Sequence, residues 1–222
     1  MKLRSAIIII LLIIIADQAL KIWIKTSFPF GHVMDVMGMS WFKLYFIENE
    51  GMAWGWKFGG EWGKMILTLF RLVAVLFGTW YLGKIVKQKY SRGFILCACL
   101  IYAGALGNLI DSMFYGMMFE ESSYVHVAKM FPSKGYAGFL HGKVVDMLYF
   151  PIVQSTFPGW MPFIGGHSFE FFSPIFNIAD ASISVGVITL LIFQKRFFRK
   201  HDPEEHPTVQ TNSEISDQAH IM

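Results

Sequence analysis

The sequence predicts an all-α membrane protein: four transmembrane helices with both termini cytoplasmic, a small extracytoplasmic β-sheet and long extracytoplasmic loops. Three observations carry that reading. The 222 residues are 54% hydrophobic and only 16% charged, with a mean hydropathy of +0.45, too apolar for a surface that meets water on every side. Four apolar runs, at about 5–24, 62–82, 93–115 and 174–193, approach the roughly 20 residues that cross a hydrocarbon core. Basic residues gather at one set of helix ends, as Lys2 and Arg4, then Lys84, Lys87, Lys89 and Arg92, then Lys195, Arg196, Arg199 and Lys200. Such an excess of Lys and Arg marks the cytoplasmic side.

The first run starts after two basic residues but continues through Asp17 to Lys21 without a convincing small-residue cleavage site, so it reads as a retained anchor rather than a secretory signal. Between the first and second runs, Trp41-Phe42-Lys43-Leu44-Tyr45-Phe46-Ile47 has strand composition, and Asn49-Glu50-Gly51 after it has turn chemistry. On the third run Cys97 and Cys99 stand two apart, where helical side chains do not face each other, and neither a disulfide nor a metal site is expected. The long loop segments, about 25–61 and 116–173, are rich in Phe, Trp, Tyr, Met and Gly and are expected to fold against the membrane surface. Beyond residue 200 the composition turns to His, Asp, Glu, Pro, Thr, Ser and Gln, which cannot bury enough apolar surface to offset ordering. Residues 1–200 thus read as one membrane domain and 201–222 as a disordered cytoplasmic tail. The net charge of +3 belongs to the anchoring clusters, and nothing resembles a nucleic-acid-binding face. Matched pairs of broken helices and internal repeats, which would suggest a transporter, are missing from the pattern.

Polar residues inside the apolar runs fall at one depth. Counted at 1.5 Å per residue from the basic ends, Asp17 lies roughly 20 Å up, Arg71 roughly 20 Å, Asp180 roughly 22 Å and Asp111 roughly 28 Å. One intramembrane charge is readily a structural pair, and Asp17 with Lys21, four apart on one helix face, reads that way. Ionisable groups on all four helices at a similar height point instead to a shared polar cavity, because each isolated charge costs several kcal/mol in hydrocarbon.

Five blocks converge there: Asp17-Gln18-Ala19-Leu20-Lys21, Asn49-Glu50-Gly51-Met52-Ala53-Trp54, Gly104-Ala105-Leu106-Gly107-Asn108-Leu109-Ile110-Asp111, Gly142-Lys143-Val144-Val145-Asp146 and Phe176-Asn177-Ile178-Ala179-Asp180. In this order on four helices they resemble the bacterial lipoprotein signal peptidase family, the intramembrane aspartic proteases also called signal peptidase II. The resemblance runs from Asp17 to Gly186 and omits the tail. It implies a peptidase of the bacterial cytoplasmic (inner) membrane, multi-pass, with its active site toward the extracytoplasmic side. The implied substrates are diacylglyceryl-modified prolipoproteins, cut just before the lipidated cysteine. Membrane lipids are further partners, the cyclic peptide globomycin is the expected inhibitor, and a monomer without cofactor or metal is expected.

By the same resemblance Asp146 and Asp180 form the catalytic pair. Amide hydrolysis needs a base for the water and an acid for the developing oxyanion and the leaving amine. Two adjacent carboxyls can share one proton and supply both, because like charges so close cannot both ionise. Asn177, three residues before Asp180, is expected on the same helix face, and Asn108 and Asp111 repeat that spacing. Asn49 belongs in the site by resemblance, with Gly51 keeping the backbone approachable, while Asp17 and Lys21 support the scaffold. Serine chemistry lacks a partner histidine and a nucleophile elbow. A metal reading through His126, His141 and Asp146 fits no zinc spacing. The family's third-helix block carries an arginine directly after its aspartate where this chain has Ser112. Arg71 either supplies that cation from the second helix or snorkels toward the headgroups. The rival reading, a small membrane carrier or proton-conducting subunit, shares the carboxylates but needs polar groups along the whole span, whereas here the inner half is apolar.

Overall fold

A computed structural model describes residues 1–49, 60–171 and 174–197. Among these, four helices are long and apolar enough to cross a membrane: α1 (Leu3–Ser27), α2 (Gly60–Lys87), α3 (Arg92–Ile110) and α5 (Ile178–Phe197). Ser91 starts α3, its hydroxyl accepting the Phe94 N–H, as an N-cap serine does. At its far end α3 does not stop but widens into a π turn, Asp111–Tyr115, and closes with the single turn α4 (Gly116–Met118). Wide turns of this kind re-aim side chains within a continuous helix.

Helix α3 is the hub, packing against α1, α2 and α5. Ala6 and Ile10 of α1, Leu82 and Ile85 of α2, and Phe94, Ile95, Cys99 and Ala103 of α3 form one buried cluster. The closest approach depends on small residues, as expected where lipid offers apolar side chains no gain from leaving it. A Cβ on Gly104 would stand 2.2 Å from the Ala179 carbonyl oxygen, so no larger residue permits α5 to lie this near. On the outside, Leu12 and Ile15 of α1, Phe70 and Phe77 of α2, and Leu191 and Ile192 of α5 are exposed, the pattern of a lipid-facing wall.

A four-stranded antiparallel sheet crowns the end where α1 and the α3 segment finish and α5 begins. Its order is β1 (Val33–Val36), β2 (Met39–Asn49), β3 (Val144–Tyr149), β6 (Ile175–Phe176). The expected strand at Trp41–Ile47 is thus the middle of β2. Met37 and Gly38, both at positive φ, make the two-residue turn that favours hairpins. A register irregularity between Leu44 and Ile47 bends β2 beside Asp146, as bulges do. Leu44, Phe46, Val145 and Met147 pack with Ile24, Tyr115 and Phe119 into a second core. A separate two-stranded hairpin, β4 (Val153–Thr156) with β5 (Ser168–Phe171), falls between β3 and β6 along the chain.

The boundary that matters for the site is the start of the fourth helix. The fourth helix starts at Ile178, not at 174, because Ile175 and Phe176 pair with Tyr149 and Leu148 as β6. Pro174 has no N–H to donate and disfavours helix in the residue before it, and the free edge of β3 takes the next two residues instead. Asn177 is consequently not on a helix face with Asp180: it precedes the helix and caps it. The proposed tail at 201–222 and Gly51 lie outside the described residues.

Candidate active site

The site begins with helix ends that need partners. The first N–H groups of α5 have no intrahelical acceptor. Asn177 Oδ1 takes the Asp180 N–H at 2.8 Å, and Asp17 Oδ1, reaching across from α1, takes the Ala179 N–H at 2.9 Å. An amide oxygen and a carboxylate thus finish α5 at its positive end. Because Asn177 spends its oxygen on the cap, its NH₂ must point the other way. It donates to Asp146 Oδ1 at 2.7 Å.

A second amide is oriented with equal strictness. The Lys21 ammonium has three N–H bonds and no acceptor, and it meets three oxygens: Asp17 Oδ2 at 2.9 Å, Asp111 Oδ2 at 2.8 Å and Asn108 Oδ1 at 2.9 Å. With the Asn108 oxygen turned to Lys21, its NH₂ is left for Asp180 Oδ1, 2.7 Å away. Lys21, Asp17, Asp111 and Asn177 are each no more than 1% exposed, so none of these orientations is set by solvent.

Asp146 reaches the same place from the sheet. Neighbours on a strand face opposite sides, so burying Val145 and Met147 in the second core aims Asp146 at α5. Burial first, and the nearby Asp180 charge second, push its carboxyl up to about 7, against the opposing pull of Lys21, Asn177 and Asn49. Asn49, at the end of β2, hydrogen-bonds to Asp146. Behind the pair, Val145 N–H donates to Asp111 Oδ2 at 3.4 Å. Gly142 is required here, since a Cβ would sit 2.0 Å from the Asp111 carbonyl oxygen.

Arg71 enters from α2. Its Nη1 donates to Ser112 Oγ at 3.0 Å, while that hydroxyl donates to the Asn108 carbonyl at 2.9 Å. Asp180, Asp111 and Asp146 all lie close enough to act on the guanidinium charge. Of the alternatives left by the sequence, Arg71 is therefore turned into the site and not outward along the helix. His126 Nδ1 lies beside Ser123 Oγ and His141 Nδ1 beside the Phe139 carbonyl, each with a local partner.

Nearly all the residues expected from sequence meet here: Asp17, Lys21, Asn49, Arg71, Asn108, Asp111, Asp146, Asn177 and Asp180. Two groups escaped that reading. Gln18 Nε2 donates to Asp111 Oδ1 at 2.8 Å, and its Oε1 accepts the Tyr115 hydroxyl at 3.1 Å. Lys25, fully buried, pairs with Glu48 and with Ser122 Oγ, tying α1 to β2. The spacing of Asp17, Lys21 and Lys25 at i, i+4 and i+8 puts all three on one helix face and was the available signal for Lys25. Gln18 stands in the first of the five blocks, beside Asp17, but had no role assigned to it there.

Comparison with known proteins supplies the lineage. A family model described as signal peptidase (SPase) II matches residues 9–196. The chain is 45% identical over 199 residues to a lipoprotein signal peptidase of Porphyromonas gingivalis, covering 88% of this chain and 84% of the relative. It is 31% identical over 216 residues to a lipoprotein signal peptidase of Amoebophilus asiaticus, covering 96% and 87%. Among solved structures, a bacterial membrane enzyme determined by the in meso method superposes with a TM-score of 0.56 at 26% identity, covering 86% of this chain and 93% of the other. Likeness of this extent, in sequence and in fold together, carries one conclusion: the chain belongs to the signal peptidase II family.

Proposed function

We propose that this protein removes signal peptides from diacylglyceryl-modified prolipoproteins as an aspartic endopeptidase, cutting before the lipidated cysteine at the extracytoplasmic face of the bacterial inner membrane. The observation that carries the aspartic mechanism is the pair of oriented amides. Asn177 holds Asp146 from one side and Asn108 holds Asp180 from the other, both at 2.7 Å, so an uncharged amide orients each carboxyl, with Asn49 adding a further hydrogen bond to Asp146.

The two carboxyls are unequal. Asp146, pushed up to about 7 by burial and by its neighbour, keeps a proton near neutrality. Asp180 lies in the first turn of α5, at the positive helix end, and accepts the Asn108 amide. Asp180 takes a proton from water as the water attacks the scissile carbonyl, and Asp146 gives its proton to the carbonyl oxygen. On collapse Asp180 gives its proton to the leaving cysteine amine while Asp146 takes one back from a hydroxyl of the tetrahedral species, which restores the pair. No covalent intermediate forms.

Asn49, Asn108, Asp111 and Asn177 surround the pair and hold backbone or carboxyl in place. Gly51 keeps its expected role on resemblance alone. Asp17 and Lys21 hold the helices together, and Arg71 is the cation that faces substrate in place of an arginine at position 112. Family membership disfavours the carrier reading.

Cleavage of a purified diacylglyceryl-modified prolipoprotein tests the proposal. The expected result is release of the signal peptide, inhibition by globomycin, indifference to EDTA, and much slower cleavage of the unlipidated precursor. Zinc-restorable loss of activity in EDTA, or equal rates with and without the lipid, would overturn it.

A further inference from the structure

We infer that the β4–β5 hairpin is an interfacial membrane anchor, its tip seated among the lipids beside the mouth of the site. Residues 151–169 contain no Asp, Glu, Lys or Arg, an uncharged stretch outside the four spanning helices. The strands close through Val153 with Phe171 and Thr156 with Ser168, and the tip closes on itself: Phe157 N–H donates to the His167 carbonyl and Gly166 N–H to the Phe157 carbonyl, each at 3.0 Å, while Gly165 N–H donates to the Met161 carbonyl at 3.0 Å. With its backbone partnered inward, the tip turns its side chains out. Ile152 is 60% exposed, Trp160 77%, Phe163 99% and Ile164 43%.

In water this arrangement has little to hold it. An isolated two-stranded hairpin is marginal there, the described strands of this one pair only with each other, and a clustered apolar surface marks an interaction site. Its tether names the partner. The hairpin leaves β3 after Tyr149 and returns to β6, whose next residue, Asn177, caps the spanning helix α5. Strands of four residues extend about 13 Å, so the tip stays near the level where α5 enters the bilayer. Its root is aromatic as well: Phe42 stacks on Phe150 at 4.6 Å, Phe150 on Phe176 at 5.7 Å, and Trp41 on Phe42 at 6.1 Å. Trp and Phe without a basic residue suit the boundary between headgroups and acyl chains. Lacking a cation, the tip requires no anionic lipid.

The inference rests on the chain spanning a membrane and not on its peptidase chemistry, so its test reads no cleavage. A Phe163→Cys variant of the full chain carries a polarity-sensitive fluorophore at that thiol, Cys97 and Cys99 being buried in α3. It is reconstituted in phosphatidylcholine vesicles with brominated acyl chains, with and without anionic lipid. The expected outcome is blue-shifted emission, quenched several-fold more by bromolipid than by iodide on both sides, and unchanged by anionic lipid. The same label on Ile164→Cys guards against loss of the anchor through Phe163 itself. Free quenching by iodide at both positions would overturn the inference by placing the tip in water. Shielding from both quenchers would overturn it too, leaving a protein or substrate cover.

Discussion

Two pairs of carboxyls lie in one end of the bundle and have opposite fates. Asp17 and Asp111 share Lys21, with an ammonium nitrogen within 3 Å of an oxygen of each. Asp146 and Asp180 are held by amides, with Arg71 of α2 near enough to act on both. An amide orients a carboxyl without cancelling its charge, so in the proposed mechanism the second pair exchanges protons while the first is locked. Burial does not separate the two pairs, since Asp17, Asp111 and Asp146 are all at most 2% exposed; the kind of partner does, and the proposed chemistry follows from it.

The sharpest way to break the contrast is to neutralise each pair. Asp146→Asn or Asp180→Asn should cut turnover by roughly 10²–10⁴-fold or more while the unfolding temperature in detergent holds or rises; comparable turnover in either variant removes the dyad. Lys21→Met should do the reverse to the first pair. It leaves two buried carboxyls without their cation, a loss of about 3–5 kcal/mol, and adding Asp17→Asn and Asp111→Asn should recover a good part of it. Unchanged unfolding of Lys21→Met would show that Lys21 is not the structural tie.

Arg71 probes the border between the pairs. Arg71→Leu should lower cleavage roughly ten- to hundredfold, the range for losing a charged hydrogen bond of about 1.5–3 kcal/mol, and Ser112→Arg in that background should restore much of it. A single variant with normal rate and affinity would mean the cation is dispensable. The smallest effect is in pH. Cleavage should fall as pH rises through about 7 because Asp146, raised from 3.8, then loses the proton it must donate. The same shift acts on folding: a raised carboxyl contributes stability that is full below about 4 and lost as pH passes about 7. Asp146→Asn, which cannot ionise, should therefore gain in unfolding temperature over the wild type between pH 6 and 8, and parallel pH curves for the two proteins would contradict it.

Much of the site was legible before any coordinates. Asp17 and Lys21 announce themselves by an i,i+4 spacing inside an apolar run, and Asp146 and Asp180 by their motif blocks. The role of Gln18 was not legible, because its partners Asp111 and Tyr115 lie more than ninety positions away. Asn177 was misplaced by a turn of helix, because hydropathy does not distinguish two apolar residues of a strand from two of a span.

The four spans, the order of the polar blocks and their height along each span can be read from the chain alone, since length and apolarity are local properties that add along a helix. Tertiary structure alone decided what each carboxyl became. The close approach of α5 at Gly104 sets Asp17 on the helix start, β3 turns Asp146 toward α5, and the capping of Asp180 N–H turns the Asn177 amide to Asp146. These outcomes depend on which oxygen meets which proton across elements distant in the chain, and a few ångströms of lateral packing decide that, not composition.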